Sequence, residues 1–229
     1  MRSPISRTAS IALALLLVGC GARPSPTPAA GRIVSLVFPV PTTDKAQVDA
    51  AIDVFGKRLK ALGIGNFTIS TGDTMTFKLT VPNSVENRDI DAVLRTPGVF
   101  AFVPWPANKT PHVGESVPDG LAPLFDWAAE VSNARVRKDS MGQPAVEITF
   151  TAAGADALNT YTTAHISEPL PLVLDGKVLT APFIQSPISN DILITAPTIT
   201  SPDDTSLSLQ AMAAIVASGP MPPAWRALP

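Results

Sequence analysis

The order in which the hydrophobic period changes constrains this chain more than any other feature. Ile33-Val34-Ser35-Leu36-Val37-Phe38 is rich in β-branched residues and stops at Pro39, which predicts a strand. A helix is predicted next. Asp44 can cap it with Gln47 three residues on, and Val48, Ala51, Ile52, Phe55, Leu59 and Leu62 recur on one face. Gly63 is placed to end it in the left-handed conformation. Phe67 and Ile69, then Met75, Phe77, Leu79 and Val81, alternate with polar residues around a turn at Thr71-Gly72-Asp73-Thr74. Asn83 and Glu86 form a capping pair for a second helix carrying Ile90, Val93 and Leu94, which stops near Pro97-Gly98. Val99 to Val103 supplies a closing strand.

Strand, helix, two strands, helix, strand is the ferredoxin-like order, with two helices on one face of an antiparallel sheet. The expected fold class is α+β: a ferredoxin-like base over residues 32–104, followed by a smaller α+β head over 131–219. A proline-rich connector, 105–130, joins them, and residues 220–229 form a C-terminal tail. In the head, Asn133–Arg137 and Ala145–Phe150 read as strands, and Thr151 caps a helix lined by Ala155, Leu158 and Tyr161/Thr162. His165 lies at that helix's end, where a cation suits the dipole. Asp175-Gly176 between apolar runs predicts a hairpin, because both turn positions favour positive φ. Ile192-Leu193-Ile194 reads as a short strand. Ser201-Pro202-Asp203-Asp204 reads as a helix start, with Leu207, Ala211, Ala214 and Ile215 on the inner face.

The first residues carry an address rather than a fold. Arg2 and Arg7 precede an apolar run, Ile11 to Val18, and then Gly19-Cys20. The run is shorter than the ~20 apolar residues that span a bilayer. Leu17-Val18-Gly19-Cys20 resembles the lipobox of bacterial lipoproteins. That resemblance implies removal of residues 1–19 and acylation of Cys20, placing the chain on the outer face of the cytoplasmic membrane. Two or three acyl chains anchor stably where one binds only marginally. Alternating prolines in residues 20–31 make a stiff tether, extending ~3.1 Å per residue.

Composition removes several chemistries. Lys+Arg is 17 against 19 Asp+Glu, a net charge of −2, so no basic excess is present to grip nucleic acid. One cysteine and two histidines leave no intramolecular disulfide and no multi-Cys or His-rich metal site. No Gly-x-Ser-x-Gly, His-Glu-x-x-His or P-loop pattern occurs. Asp203-Asp204 is explained by helix capping, and Asp89 and Asp91 do not share a helix face. His112 reads as a solvated loop histidine. The expectation is a non-enzyme with no cofactor and no metal.

Two stretches carry a family resemblance. Gly142 to Phe150 with Gly154-Ala155, and Val173-Leu174-Asp175-Gly176-Lys177-Val178-Leu179-Thr180-Ala181-Pro182-Phe183-Ile184-Gln185, resemble the head of the large extracytoplasmic domain of SecD. Arg58-Leu59-Lys60-Ala61-Leu62-Gly63, Leu79-Thr80-Val81-Pro82 and Ser218-Gly219-Pro220-Met221-Pro222-Pro223 are similar to other parts of that domain, in the same order. The family works beside the Sec translocon and uses proton flow to help draw polypeptides outward. No transmembrane bundle accompanies the resemblance, and the chain stops soon after the head helix. It therefore implies the polypeptide-contacting module without the motor, with secreted polypeptide or Sec components as partners. Candidate partner contacts are Trp105, Phe125, Trp127 and Phe183. The plainer reading packs Phe125 and Trp127 at the seam of the two subdomains. An alternative function is an envelope lipoprotein that reuses the fold to bind a small molecule or cell-envelope ligand.

Overall fold

The computed structural model describes residues 33–72, 76–82, 87–106, 108–195 and 207–226. The leader, Cys20 and the tether lie outside these residues, as do the expected turn at Asp73-Thr74, the Asn83/Glu86 pair and the helix start at Ser201–Asp204.

The first sheet follows the predicted alternation. β1 (Ile33–Pro39), β2 (Thr68–Gly72) and β3 (Thr76–Pro82) pair antiparallel in the order β1-β3-β2. On the central strand Phe77, Leu79 and Val81 are buried and Lys78 is exposed. α1 (Lys45–Ala61) packs on this sheet, with the Asp44 carboxylate accepting from the Ala46 amide and from Gln47. Phe55 meets Phe77 edge-on, with ring centroids 5.6 Å apart. Gly63 has φ +79°, as the helix end requires. α2 (Asn87–Arg95) buries Ile90, Val93 and Leu94.

The expected closing strand goes elsewhere. β4 (Phe100–Phe102) does not join the first sheet but pairs antiparallel with β7 (Leu172–Leu174), which pairs with β8 (Lys177–Thr180). The β7–β8 turn is the cause. Asp175 (φ 50°) and Gly176 (φ 80°) form it. The Asp175 carboxylate accepts from the amides of Gly98 (3.2 Å) and Val99 (2.8 Å), and its own amide donates to the Val99 carbonyl at 2.9 Å. At the other end the Val103 amide donates to the Pro171 carbonyl at 3.1 Å. The strand is thus gripped at both ends by a hairpin some seventy residues downstream. Residue 175 is exposed as a whole, but its carboxylate is turned inward, and the loss of water there pushes its pKa up.

The third sheet holds β5 (Val131–Lys138), β6 (Pro144–Phe150) and β9 (Asp191–Thr195), in the order β5-β6-β9. α3 (Trp127–Glu130) precedes β5, and α4 (Ala152–Ala164) follows β6 with Thr151 as its cap. α5 (Leu209–Ser218) starts at Ser208, whose hydroxyl accepts from the Ala211 amide at 3.0 Å. Ala211 to Val216 are all buried, so α5 has no polar face in its centre and is covered on all sides. It packs against α1 and α2 on one side and β5 and β6 on the other. Reading a single inner face for it underestimates its burial.

The C-terminal prolines do not mark a free tail over the described residues. Met221 and Trp225 are buried, α6 (Pro223–Arg226) carries Trp225 onto Phe77 at 5.9 Å, and the Ala224 amide donates to Gln47. The described residues form one compact unit. Base, connector and head are our proposed subdivisions of it.

Candidate functional site

A cleft of about 470 Å³ opens between β9 and the segment that follows β8. Its floor is Phe102 of β4, Leu172 of β7 and Leu170, all buried. One wall is β9, which supplies residues 191–195. The other comes from residues 180–188, with Pro182, Phe183, Ile184 and Ile188 turned to the cleft. At the rim, Phe183 is 53% and Leu193 41% exposed, although both are large and apolar.

Local chemistry makes the wall stiff. The Ser167 amide donates to the Ile184 carbonyl at 2.8 Å, and the Ile184 amide donates to the Glu168 carbonyl at 2.9 Å. The Leu170 amide donates to the Pro182 carbonyl at 2.9 Å. Ser167 reaches this ladder with φ +68°. The far end is fixed to α4, where the buried Thr162 hydroxyl accepts from the Ile188 amide at 2.9 Å. His165 closes α4, stacks on Tyr161 with centroids 4.1 Å apart, and places Nδ1 2.8 Å from Glu168 Oε2. It is a wall-bracing residue by position.

The opposite wall is a sheet edge. Among the described residues β9 has one partner strand, β6. Its other side faces the cleft, so backbone groups of residues 191–194 stand beside an apolar floor. Asp191 is the single ionisable residue among the described lining residues. The arrangement offers main-chain pairing, apolar side-chain sites and one carboxylate. It offers no nucleophile with a base, and no group of three His, Cys, Asp or Glu side chains could hold a metal ion among the described residues.

Behind β9, Leu193 pairs across to Glu147 of β6. Glu147 is shut from water beneath two arginines, with Arg135 Nε 2.6 Å from one oxygen and Arg137 Nη1 2.5 Å from the other. The Arg135 hydrogen bond, helped by both positive charges and opposed by burial, holds its carboxyl below the ordinary range. A carboxyl lowered on folding adds stability above its unfolded pKa and loses it as pH falls through the folded one. Urea midpoints measured from neutral pH into acid should therefore fall more steeply for the native chain than for Glu147→Gln.

The residues expected to meet a partner are scattered. Phe183 lines the cleft and is exposed. Trp127 is buried among Phe100 (5.6 Å), Phe102 (5.4 Å), Phe125 (6.4 Å) and Phe150 (5.8 Å). Phe125 is half-buried in the same cluster. Trp105 sits with Val103, Val173 and Val178 in a small separate core. The two tryptophans are thus packing residues here, filled in on all sides rather than facing a cavity. His112 is exposed in its loop. Sequence reasoning missed Leu193 and Asp191 as cleft residues. A three-residue apolar strand signals burial but does not say which of its edges stays unpaired.

Residues 128–218 match the family described as SecDF, P1 head subdomain. Protein translocase subunit SecD of Rhodobacter capsulatus is 29% identical over 192 residues, which is 77% of this chain and 35% of that protein. Protein translocase subunit SecDF of Thermus thermophilus is 27% identical over 173 residues, 65% of this chain and 23% of that protein. The chain therefore spans only about a third or less of these relatives' length. The crystal structure of SecDF in a super-membrane-facing form superposes with a TM-score of 0.65 at 22% identity, covering 83% of this chain and 28% of that one. A further structure, of SecDF as a membrane component that enhances protein export, gives 0.59 at 23% identity, covering 82% of this chain and 95% of that one. The chain shares the α+β fold of these SecDF structures, and over residues 128–218 it is similar to the SecDF P1 head subdomain.

Proposed function

We propose that this chain is an accessory module of protein export that holds an extended segment of polypeptide along β9 in the head cleft, without motor activity. The edge of β9 beside an apolar floor is the observation that carries the reading. Adding a strand to a sheet edge gives affinity through main-chain hydrogen bonds, and alternate side chains select the guest. Exposed Phe183 and Leu193 supply the apolar contacts, and Asp191 favours a guest without acidic residues. Similarity to the SecDF head points to the same class of process and to translocon-associated partners. Lipid attachment at Cys20 would keep the module on the extracytoplasmic face of the membrane.

The small-molecule reading has one observation behind it: a volume of about 470 Å³ falls in the range that small ligands fill. The exposed rim and the sheet edge favour peptide instead. Binding of a fluorescent peptide of alternating apolar residues, followed by anisotropy, separates the two. Leu193→Asp and Phe183→Asp should each weaken it about tenfold or more, since a tenfold change needs only about 1.4 kcal/mol. Unchanged affinity in both, with folding intact by circular dichroism, would overturn the reading. Anchoring is tested separately: Cys20→Ala should move the chain from the membrane pellet to the soluble fraction after an alkaline wash.

A further inference from the structure

Away from the cleft, the β5–β6 hairpin ends in a tip that the polypeptide reading leaves unexplained. Met141 at its apex is 79% exposed, more than any other large apolar side chain among the described residues. Hairpin turns favour Asn, Asp and Gly, and nothing in turn chemistry asks for methionine at an apex. The turn itself is rigidly built. Asp139 Oδ1 accepts from the amides of Met141 (2.9 Å) and Gln143 (2.8 Å). The Asp139 amide donates to the Gln143 carbonyl at 2.8 Å, and the Gly142 amide donates to the Asp139 carbonyl at 3.1 Å. Gly142 makes this possible with φ +79°. Four amides of the turn, those of Asp139, Met141, Gly142 and Gln143, are thus satisfied from within, so the tip can leave bulk water without stranding them.

The charges behind the tip are positive although the whole chain is net negative. Arg135 and Arg137 share a single carboxylate, Glu147, and both remain substantially exposed. Lys138 is exposed and has no ion pair among the described residues. The Asp139 carboxylate is engaged by the turn amides. Charged residues on an edge strand also discourage unwanted strand pairing, which accounts for the arginines. It does not account for an apolar apex held out by a prebuilt turn with cations behind it.

We infer that the β5–β6 tip docks on an anionic lipid surface, with Met141 entering the headgroup layer and Lys138 and the arginine surplus meeting lipid phosphates. Apolar insertion and attraction to anionic headgroups act together in such contacts. The inference is independent of the cleft and of any lipid on Cys20.

The test uses the full chain with Cys20→Ser and an environment-sensitive fluorophore on Met141→Cys. A second chain carries the label on Lys60→Cys of α1, an exposed position. Vesicles of phosphatidylcholine with phosphatidylglycerol should raise emission at position 141 about twofold or more, as for a probe entering the interface. Pure phosphatidylcholine should give little, and position 60 should not respond. Adding Lys138→Glu should reduce the response on anionic vesicles. A label at 141 that stays water-exposed on anionic vesicles overturns the inference, and is the result expected if the tip meets a protein instead. An equal response on neutral vesicles overturns the charge-directed part.

Discussion

Arg58→Ala should destabilise the chain by about 4 kcal/mol or more. The side chain is fully buried in α1, and each of its donors has a partner. Nε donates to the Ser218 hydroxyl at 3.1 Å. Nη1 donates to the carbonyls of Val93 (2.5 Å) and Thr96 (2.6 Å), and Nη2 to those of Pro97 (3.1 Å) and Gly219 (3.2 Å). One guanidinium therefore closes the carbonyl ends of both α2 and α5 against α1. Burial pulls its pKa down to about 10, with Asp175 opposing, so it stays charged at neutral pH. Removing it leaves buried carbonyls without donors, at roughly 1–3 kcal/mol each, and a cavity besides. Arg58→Lys keeps the charge but not the planar fork, and should recover only part of the loss. The neighbouring Gly98 shows how closely the site is fitted. A Cβ there would lie 2.5 Å from Arg58 Nη2 and 2.6 Å from Ile215 Cγ2, at a φ of +80°. Urea midpoints by circular dichroism should rank native above Lys above Ala. A loss below about 1 kcal/mol for Ala would show that the fork contributes little.

Trp127→Ala should cost about 3–5 kcal/mol, the usual range for a large aromatic removed from a packed core. Its ring is surrounded by Phe100 and Phe102 of β4, Phe125 of the connector and Phe150 of β6. The indole thus joins the second sheet to the third, and its loss should loosen the cleft floor through Phe102. Trp127→Phe should cost far less. The buried indole Nε1 has no protein hydrogen-bond partner among the described residues, so the smaller ring gives up volume but no hydrogen bond to them. The pair of midpoints checks this: a phenylalanine variant as unstable as the alanine one would mean that the N–H, not the packing, matters.

Much of the fold is legible in local signals. Phe77, Leu79 and Val81 declare β3 by alternation, Asp44 and Thr151 declare helix starts by capping, and Asp175-Gly176 declares its hairpin by positive φ. The misreadings all involve partners distant in sequence. Phe100–Phe102 looks like the last strand of the first sheet until the β7–β8 turn claims it. The role of Arg58 carries no local signal, because nothing within α1 shows that the ends of α2 and α5 converge on it. Pro220 to Pro223 reads as a tail because prolines report a missing amide, not the burial of Met221 and Trp225 around them. At the site, Phe183 was visible as a residue of a resembling stretch. Leu193 was not, since its role follows from an edge that only sheet order defines.

The central claim is that an extended polypeptide lies along β9. Photo-crosslinking from within the cleft tests it most directly. The full chain would carry a photoreactive amino acid in place of Phe183, and in a parallel chain in place of Lys60 of α1. Each would be irradiated in membranes that are exporting a radiolabelled protein. The account predicts adducts to the exported chain from position 183 and none from position 60. Absence of adducts from 183, or equal yield from both positions, would contradict it.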